Sequence, residues 1–175
     1  MTRLLDWDDC KLADIPELHA FTCTDVLPDR RHGKRWMDHT PRWWEYQVQS
    51  YIRDLKPARA NGMKRVRIGR DAEGIGAVSA FEFVDGYELV DLQVMGVAFR
   101  LRHKGGGYAD EMFRDTLDEI TGSAIGRVLE VRLVGRVWEE NHQSQKLCGR
   151  HGLVHTDQAE AAGVQVWTRS LPIAL

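Results

Sequence analysis

Apolar residues recur along this chain with two different periods, and the switches between them outline the elements. A short strand is predicted near Leu4. Asp14-Ile-Pro-Glu17 reads as a helix start, with Asp14 as cap, Pro16 in the first turn and Glu17 closing a capping box. Thr40-Pro41 gives a second start signal. After it Trp44, Val48, Tyr51, Ile52 and Leu55 recur at helical spacing until the Pro57 to Gly62 stretch ends the pattern. The period then shortens. Arg65 to Arg70 alternates valine and isoleucine with arginine, Asp71 to Gly74 forms a turn, and Ile75 to Val84 makes a second strand. Asp85-Gly86 signals a hairpin into a third and longest strand, Tyr87 to Ala98.

Helical spacing returns after Gly105-Gly106-Gly107, with Tyr108, Met112, Phe113, Leu117 and Ile120 on one side. Val128 to Val137 is a strand, Gln143 to Arg150 a short helix stopped at Gly152, and Leu153–Thr156 and Val164–Thr168 are two further strands. The order is strand, two helices, three strands, helix, strand, helix, two strands. It predicts a mixed α/β sheet and excludes a strict βαβ winding.

Composition narrows the possibilities. The 175 residues fit one domain spanning 1–175, and 43% hydrophobic residues suffice for a continuous core. With 24 basic and 26 acidic side chains the formal charge is −2, which points away from nucleic acid and from membrane surfaces. Three cysteines (Cys10, Cys23, Cys148) without a CxxC pair argue against a disulfide framework and a zinc knuckle. No long apolar run opens the chain, so a cytoplasmic location is expected. His151 and His155 are four apart, but Gly152 between them spoils the helical geometry, and no metal is expected.

The chemistry concentrates in Val94 to Tyr108. A long strand feeds a turn rich in glycine and basic residues, and the turn opens a helix. Amides at such a junction lack helical partners and the helix dipole adds positive potential, so a diphosphate is the natural ligand. Arg102, His103 and Lys104 add side-chain donors. Gly107 is followed by Tyr-Ala-Asp and not by Lys-Ser/Thr, which excludes a P-loop.

Arg102-His-Lys-Gly105-Gly-Gly107 resembles motif A of the GNAT acyltransferases, R/Q-x-x-G-x-G/A, with Val97 at the position of the valine that precedes it. Asn141-His-Gln-Ser-Gln-Lys-Leu-Cys-Gly-Arg-His-Gly-Leu153 resembles the second signature of that family, N-x-x-A-x-x-L-Y-x-x-x-G-F. The resemblance covers Arg65 to Leu153 well and the N-terminal third by element order alone. It implies a GNAT fold: a twisted, mostly antiparallel sheet with helices on both faces, splayed where acetyl-CoA binds. It implies that the main chain of Met95, Gly96 and Val97 holds the acetyl and pantetheine amides. The amides from Arg102 through Tyr108 (Arg102, His103, Lys104, Gly105, Gly106, Gly107, Tyr108) then take the pyrophosphate, and Asn141 with Ser144 contacts the cofactor near the pantetheine.

Further roles follow from the same resemblance. Cys148 stands where the family carries a tyrosine that protonates the leaving thiolate. Asp91 lies eleven residues before Arg102, the spacing of the glutamate base in histone-type members, and it shares strand parity with Gln93, Met95 and Val97. Glu82 and Glu88, on neighbouring strands, are the alternatives. Trp43 and Trp44 border the acceptor region, with Glu82 as a further acceptor contact, and Arg30, Arg31, Lys34 and Arg35 form a basic loop beside it. The implied reaction is direct acetyl transfer to a primary amine, small molecule or peptide, in a chain of a kind that often dimerises. A longer acyl donor, or an inactive acyl-CoA-binding sensor of the same fold, are the alternatives.

Overall fold

A computed structural model describes residues 3–57, 62–159 and 161–173, the side chains of Arg30, His32, Lys34 and Ala159 excepted. Seven strands form one sheet: β1 (Asp6–Asp9), β2 (Lys64–Asp71), β3 (Gly74–Val84), β4 (Leu89–Val97), β5 (Glu130–Trp138), β6 (Val154–Ala159) and β7 (Val164–Pro172). Their spatial order is β1-β2-β3-β4-β5-β7-β6. Every neighbouring pair is antiparallel except β4 and β5, which are parallel. A parallel pair needs a crossover, and the 17-residue helix α4 (Tyr108–Ala124) supplies it. The other helices are α1 (Ile15–Ala20), α2 (Trp43–Arg53), α3 (Phe99–Arg102) and α5 (His142–Arg150).

Helices α2 and α4 cover opposite faces. On the α2 face, Gly96 meets Ile52 so closely that an added Cβ would stand 2.6 Å from its Cδ1, which is why β4 carries a glycine there. On the α4 face, Thr116 donates its hydroxyl to Ser79 at 2.9 Å, both fully buried. One apolar cluster gathers Leu5, Leu18, Ile52, Val66, Ile68 and Val78; a second gathers Phe81, Val90, Phe113, Ile120, Val131 and Leu133.

One irregularity decides how β4 presents its side chains. Pairing with β3 steps from Ala80↔Val94 to Phe81↔Leu92, so Gln93 is an extra residue, a bulge. Across it the side-chain parity reverses. Leu92 and Val90 join Phe81 and Phe113 in the cluster under α4, whereas Asp91, opposite Glu82, faces α2. Asp91 therefore does not share a face with Met95 and Val97, contrary to the uninterrupted alternation expected of the strand.

Other boundaries differ for local reasons. Asp14 does not cap α1; its carboxylate accepts from the Lys11 amide at 2.7 Å and pairs with Arg70. Glu17 turns to the Ile75 amide and Arg70 instead of closing a box. Thr40 accepts from the Asp29 amide at 3.1 Å, and α2 starts later, after Arg42 in a left-handed conformation. Asp85, Gly86 and Tyr87 all adopt positive φ in a tight turn, so β4 begins at Leu89 and not at Tyr87. Part of the stretch expected to end α2, residues 58–61, lies outside the described residues, and the helix itself stops at Arg53. Among the described residues no helix is long and apolar enough to cross a membrane.

The N-terminal segment is tied down by one buried carboxylate. Glu111, 7% exposed on α4, accepts from the amides of Leu4 at 2.8 Å and Leu5 at 2.9 Å and from the Trp7 indole at 3.1 Å. Glu111→Ala strands these donors, and charge-assisted bonds with buried donors predict a loss of about 3 kcal/mol. Glu111→Gln, which keeps an acceptor, should lose less. Urea unfolding of the three proteins measures the difference.

Candidate active site

Strands β4 and β5 pair only from Leu89↔Arg132 to Leu92↔Gly135. Beyond that rung β4 continues through Val97 against β3, and β5 continues through Trp138 against β7. The sheet forks. Gln93 to Val97 covers about 13 Å at the usual strand rise. The Ala98 amide donates to the Gly76 carbonyl at 2.8 Å, on the β3 side. Antiparallel alternation then turns the main-chain groups of Gly96 and Val94 toward β3, and those of Met95 and Val97 into the fork. Gly96 thus serves the fork through its missing side chain, not through the amide assigned to it from the sequence.

At the open end of the fork the chain makes the glycine turn. Residues Phe99–Arg102 are helical, and the Lys104 amide donates to the Leu101 carbonyl at 3.1 Å. The amides of Arg102 and Lys104 therefore belong to this helix end and its closing turn, and the expected run of free amides is shorter than Arg102 to Tyr108. It starts at Gly105. The first helical bond of α4 is Glu111 N–H to the Gly107 carbonyl, 2.9 Å, and the amides of Gly105, Gly106, Gly107 and Tyr108 have no acceptor among the described residues. Gly105 (φ 62°) and Gly107 (φ 78°) take left-handed conformations that favour glycine, with open space where a Cβ would stand.

The basic side chains of the turn are already engaged. Arg102 donates to Glu45 on α2 at 2.8 Å, Arg100 chelates Asp71 with two bonds of 2.6 Å, Lys104 reaches Glu73 at 3.5 Å, and His103 stands edge-on to Phe99. Arg102, His103 and Lys104 are thus not gathered as side-chain donors for an anion, and the electropositive surface is main chain. The acids of the first α4 turn are engaged elsewhere. Asp110 pairs with Arg150 and His151, and Glu111 holds the N-terminus.

The remaining candidates surround the fork. Asn141 caps α5, its Oδ1 accepting from the Ser144 amide at 3.2 Å. Trp43 packs against Trp138 at the end of β5 with centroids 4.6 Å apart, and Trp44 stands edge-on behind Trp43. With the Glu45–Arg102 pair, these contacts carry the start of α2 across the open end of the fork. Cys148 is 7% exposed within the second apolar cluster, and burial pushes its thiol up to about 11. Arg31 pairs with Asp29 in the basic loop; the side chains of Arg30 and Lys34 lie outside the described ones.

At the closed end of the fork, on the α2 face, five polar side chains meet, and of these Arg136 is not among the residues singled out from the sequence. Arg136 of β5 pairs with Asp91. Gln93 donates to Glu82 at 2.8 Å and accepts from the Tyr51 hydroxyl at 3.3 Å. Burial first, and then the nearby carboxylates, raise the Tyr51 pKa. Among the described residues no group of three or more His, Cys, Asp or Glu is placed to hold a metal ion.

His151 braces the turn from behind. Its ring stacks on Phe113 at 4.4 Å and meets Asp110 at 3.0 Å. Burial, the larger cause, outweighs the carboxylate and lowers the His151 pKa below 6.5. A histidine with a depressed folded-state pKa loses stability as pH falls through its unfolded value. The wild type should therefore lose stability relative to His151→Phe as pH falls from about 7 to 5, which thermal unfolding at each pH reads out.

No family model matches the chain, and no curated protein matches it. Solved structures do. An acetyltransferase from Thermus thermophilus superposes with a TM-score of 0.62 at 16% identity, covering 95% of this chain and 97% of that one. The GNAT domain of S. lividans PAT gives 0.61 at 13%, covering 94% and 89%. The spermidine N-acetyltransferase from Vibrio cholerae, in complex with CoA and spermine, gives 0.58 at 14%, covering 96% and 95%. On this likeness, and on its forked sheet, the chain has the fold of the GNAT acetyltransferases.

Proposed function

We propose that the chain binds acetyl-CoA in the fork and transfers the acetyl group directly to a primary amine. The observation that carries this reading is one continuous groove of unpaired main chain: Met95 and Val97 within the fork, then Gly105 to Tyr108 at its open end. Free amides at a helix start suit a diphosphate, and donors spaced along an extended strand suit the amides of a pantetheine arm. The residues fit the group. When bound, acetyl-CoA supplies an acetyl carbonyl activated as a thioester.

The chain supplies the rest. Val97 and Met95 offer N–H groups to a carbonyl oxygen that gains charge. Carboxylates at the closed end of the fork remove the proton that an ammonium must lose before it attacks. Asn141 and Ser144, at the start of α5, border the fork from the β5 side. Solved structures of the same fold include enzymes named for N-acetyl transfer, one of them crystallised with CoA, which supports the reading.

A second reading, an acyl-CoA-binding module without catalysis, is favoured by one observation. Cys148 occupies the place of the family's tyrosine acid, and its thiol is buried with its pKa pushed up to about 11. Thiol release separates the two. Calorimetry should detect CoA binding to the wild type, and acetyl-CoA with a panel of primary amines should release free thiol. Binding without release supports the module. Gly107→Val, which forces a branched side chain into a left-handed position, should weaken CoA binding at least tenfold while leaving the circular dichroism spectrum unchanged. Unaltered affinity in that variant would remove the glycine turn from the site.

A further inference from the structure

The closed end of the fork holds two carboxylates in unequal circumstances. Glu82 and Asp91 stand directly opposite each other on β3 and β4, on the α2 face. Like charges at that spacing repel unless compensated. Asp91 is compensated: the guanidinium of Arg136, on the first residue of β5 beyond the last β4–β5 rung, takes its carboxylate. Glu82 is not. It accepts from the neutral amide of Gln93 at 2.8 Å, and among the described residues it has no ion pair. Lys64 lies opposite it on β2 and shares its cavity without reaching it. That cavity, about 370 Å³, is lined by Tyr51, Asp54, Leu55, Lys56, Lys64 and Glu82.

The two carboxylates differ in what they can do. One whose oxygens are held by a guanidinium is already occupied, and an arriving ammonium would have to displace Arg136 from it. One bonded only to an amide keeps its charge available to an arriving cation. We propose that Glu82, and not Asp91, receives the ammonium group of the acceptor and takes its proton, and that Asp91 is a positioning residue which, with Arg136, fixes the closed end of the fork. The acceptor class is then an aliphatic amine that arrives protonated, entering between α2 and the β2–β3 strands. Gln93 is the link that makes this arrangement possible: as the bulged residue it reaches both Glu82 and Tyr51.

The proton balance is simple. The ammonium gives one proton to Glu82, the freed nitrogen bonds to the acetyl carbon, and the carbon–sulfur bond breaks. A second proton leaves the nitrogen as the amide forms, and the thiolate takes one up through solvent.

This inference rests on the acetyl-transfer reading, and kinetics can separate their failures. The probes are acetyl-CoA with ethanolamine, lysine, tyramine and spermidine, the fastest being used for all variants. Glu82→Gln should lower kcat about 100-fold, the scale of general-base catalysis, and abolish the acidic limb of the pH profile while leaving CoA affinity unchanged. Glu82→Asp should recover part of the rate and the limb. Asp91→Asn should lower kcat less than tenfold and keep the acidic limb. Lys64, Lys56 and Asp54 share the Glu82 cavity, and Asp91 and Tyr51 lie beside it, so the limb is assigned only if it follows Glu82 in both variants. A Glu82→Gln protein with kcat within twofold of wild type, or loss of the limb in Asp91→Asn, overturns the assignment. CoA binding without turnover of any probe overturns the transferase reading instead.

Discussion

The structure depends on an interruption of backbone pairing in the middle of its sheet. Strands β4 and β5 are both central, yet their ladder stops at Leu92↔Gly135 while each strand continues on its other side. Main-chain polar groups inside a sheet are ordinarily paired, because leaving them without partners costs free energy. Here Met95 and Val97 turn theirs into a gap that water or a ligand must satisfy. Two features keep the gap from closing. The full length of β5 is committed to β7, and the bulge at Gln93 bends β4 where the fork begins.

Around this gap, charges are arranged so that the positive character of the glycine turn comes from main chain. Arg100, Arg102 and Lys104 are each paired to a carboxylate, and two of those pairs tie the turn to other elements: Asp71 closes β2, and Glu45 sits in the first turn of α2. The pairs act as struts. They hold the segment after β4 in place, and with the Trp43–Trp138 contact they fix α2 over the open end of the fork. An ion pair exposed to solvent contributes little stability, so their role is orientation. At the closed end the balance is reversed, with one carboxylate neutralised and its neighbour left with its charge.

Much of this is legible in the sequence where local rules dominate. Gly105 and Gly107 are recognisable because left-handed turns before a helix select glycine, and Val97 with Asn141 marks the two strand ends that flank the fork. The bulge is not legible. Val90 to Val94 alternates apolar with polar without a break, and Gln93 reads as one more half-exposed strand residue, so plain alternation puts Asp91 on the wrong face. Arg136 is invisible for another reason: the register of a parallel pair is set across a crossover helix, and no local signal reports it. Asp14 and Thr40 carry sound capping chemistry but direct it to other partners, Arg70 and the Asp29 amide, because tertiary contacts override the local turn.

On the proposed function, the unpaired amides of the fork and of the glycine turn are one ligand-binding groove. Amide chemical shifts followed by nuclear magnetic resonance during titration with coenzyme A measure this directly. The largest changes should fall on Met95, Val97 and Gly105 through Tyr108, and Gly96, whose amide faces β3, should move less than its two neighbours. Shifts confined to other surfaces, or a spectrum that coenzyme A leaves unchanged, would contradict it.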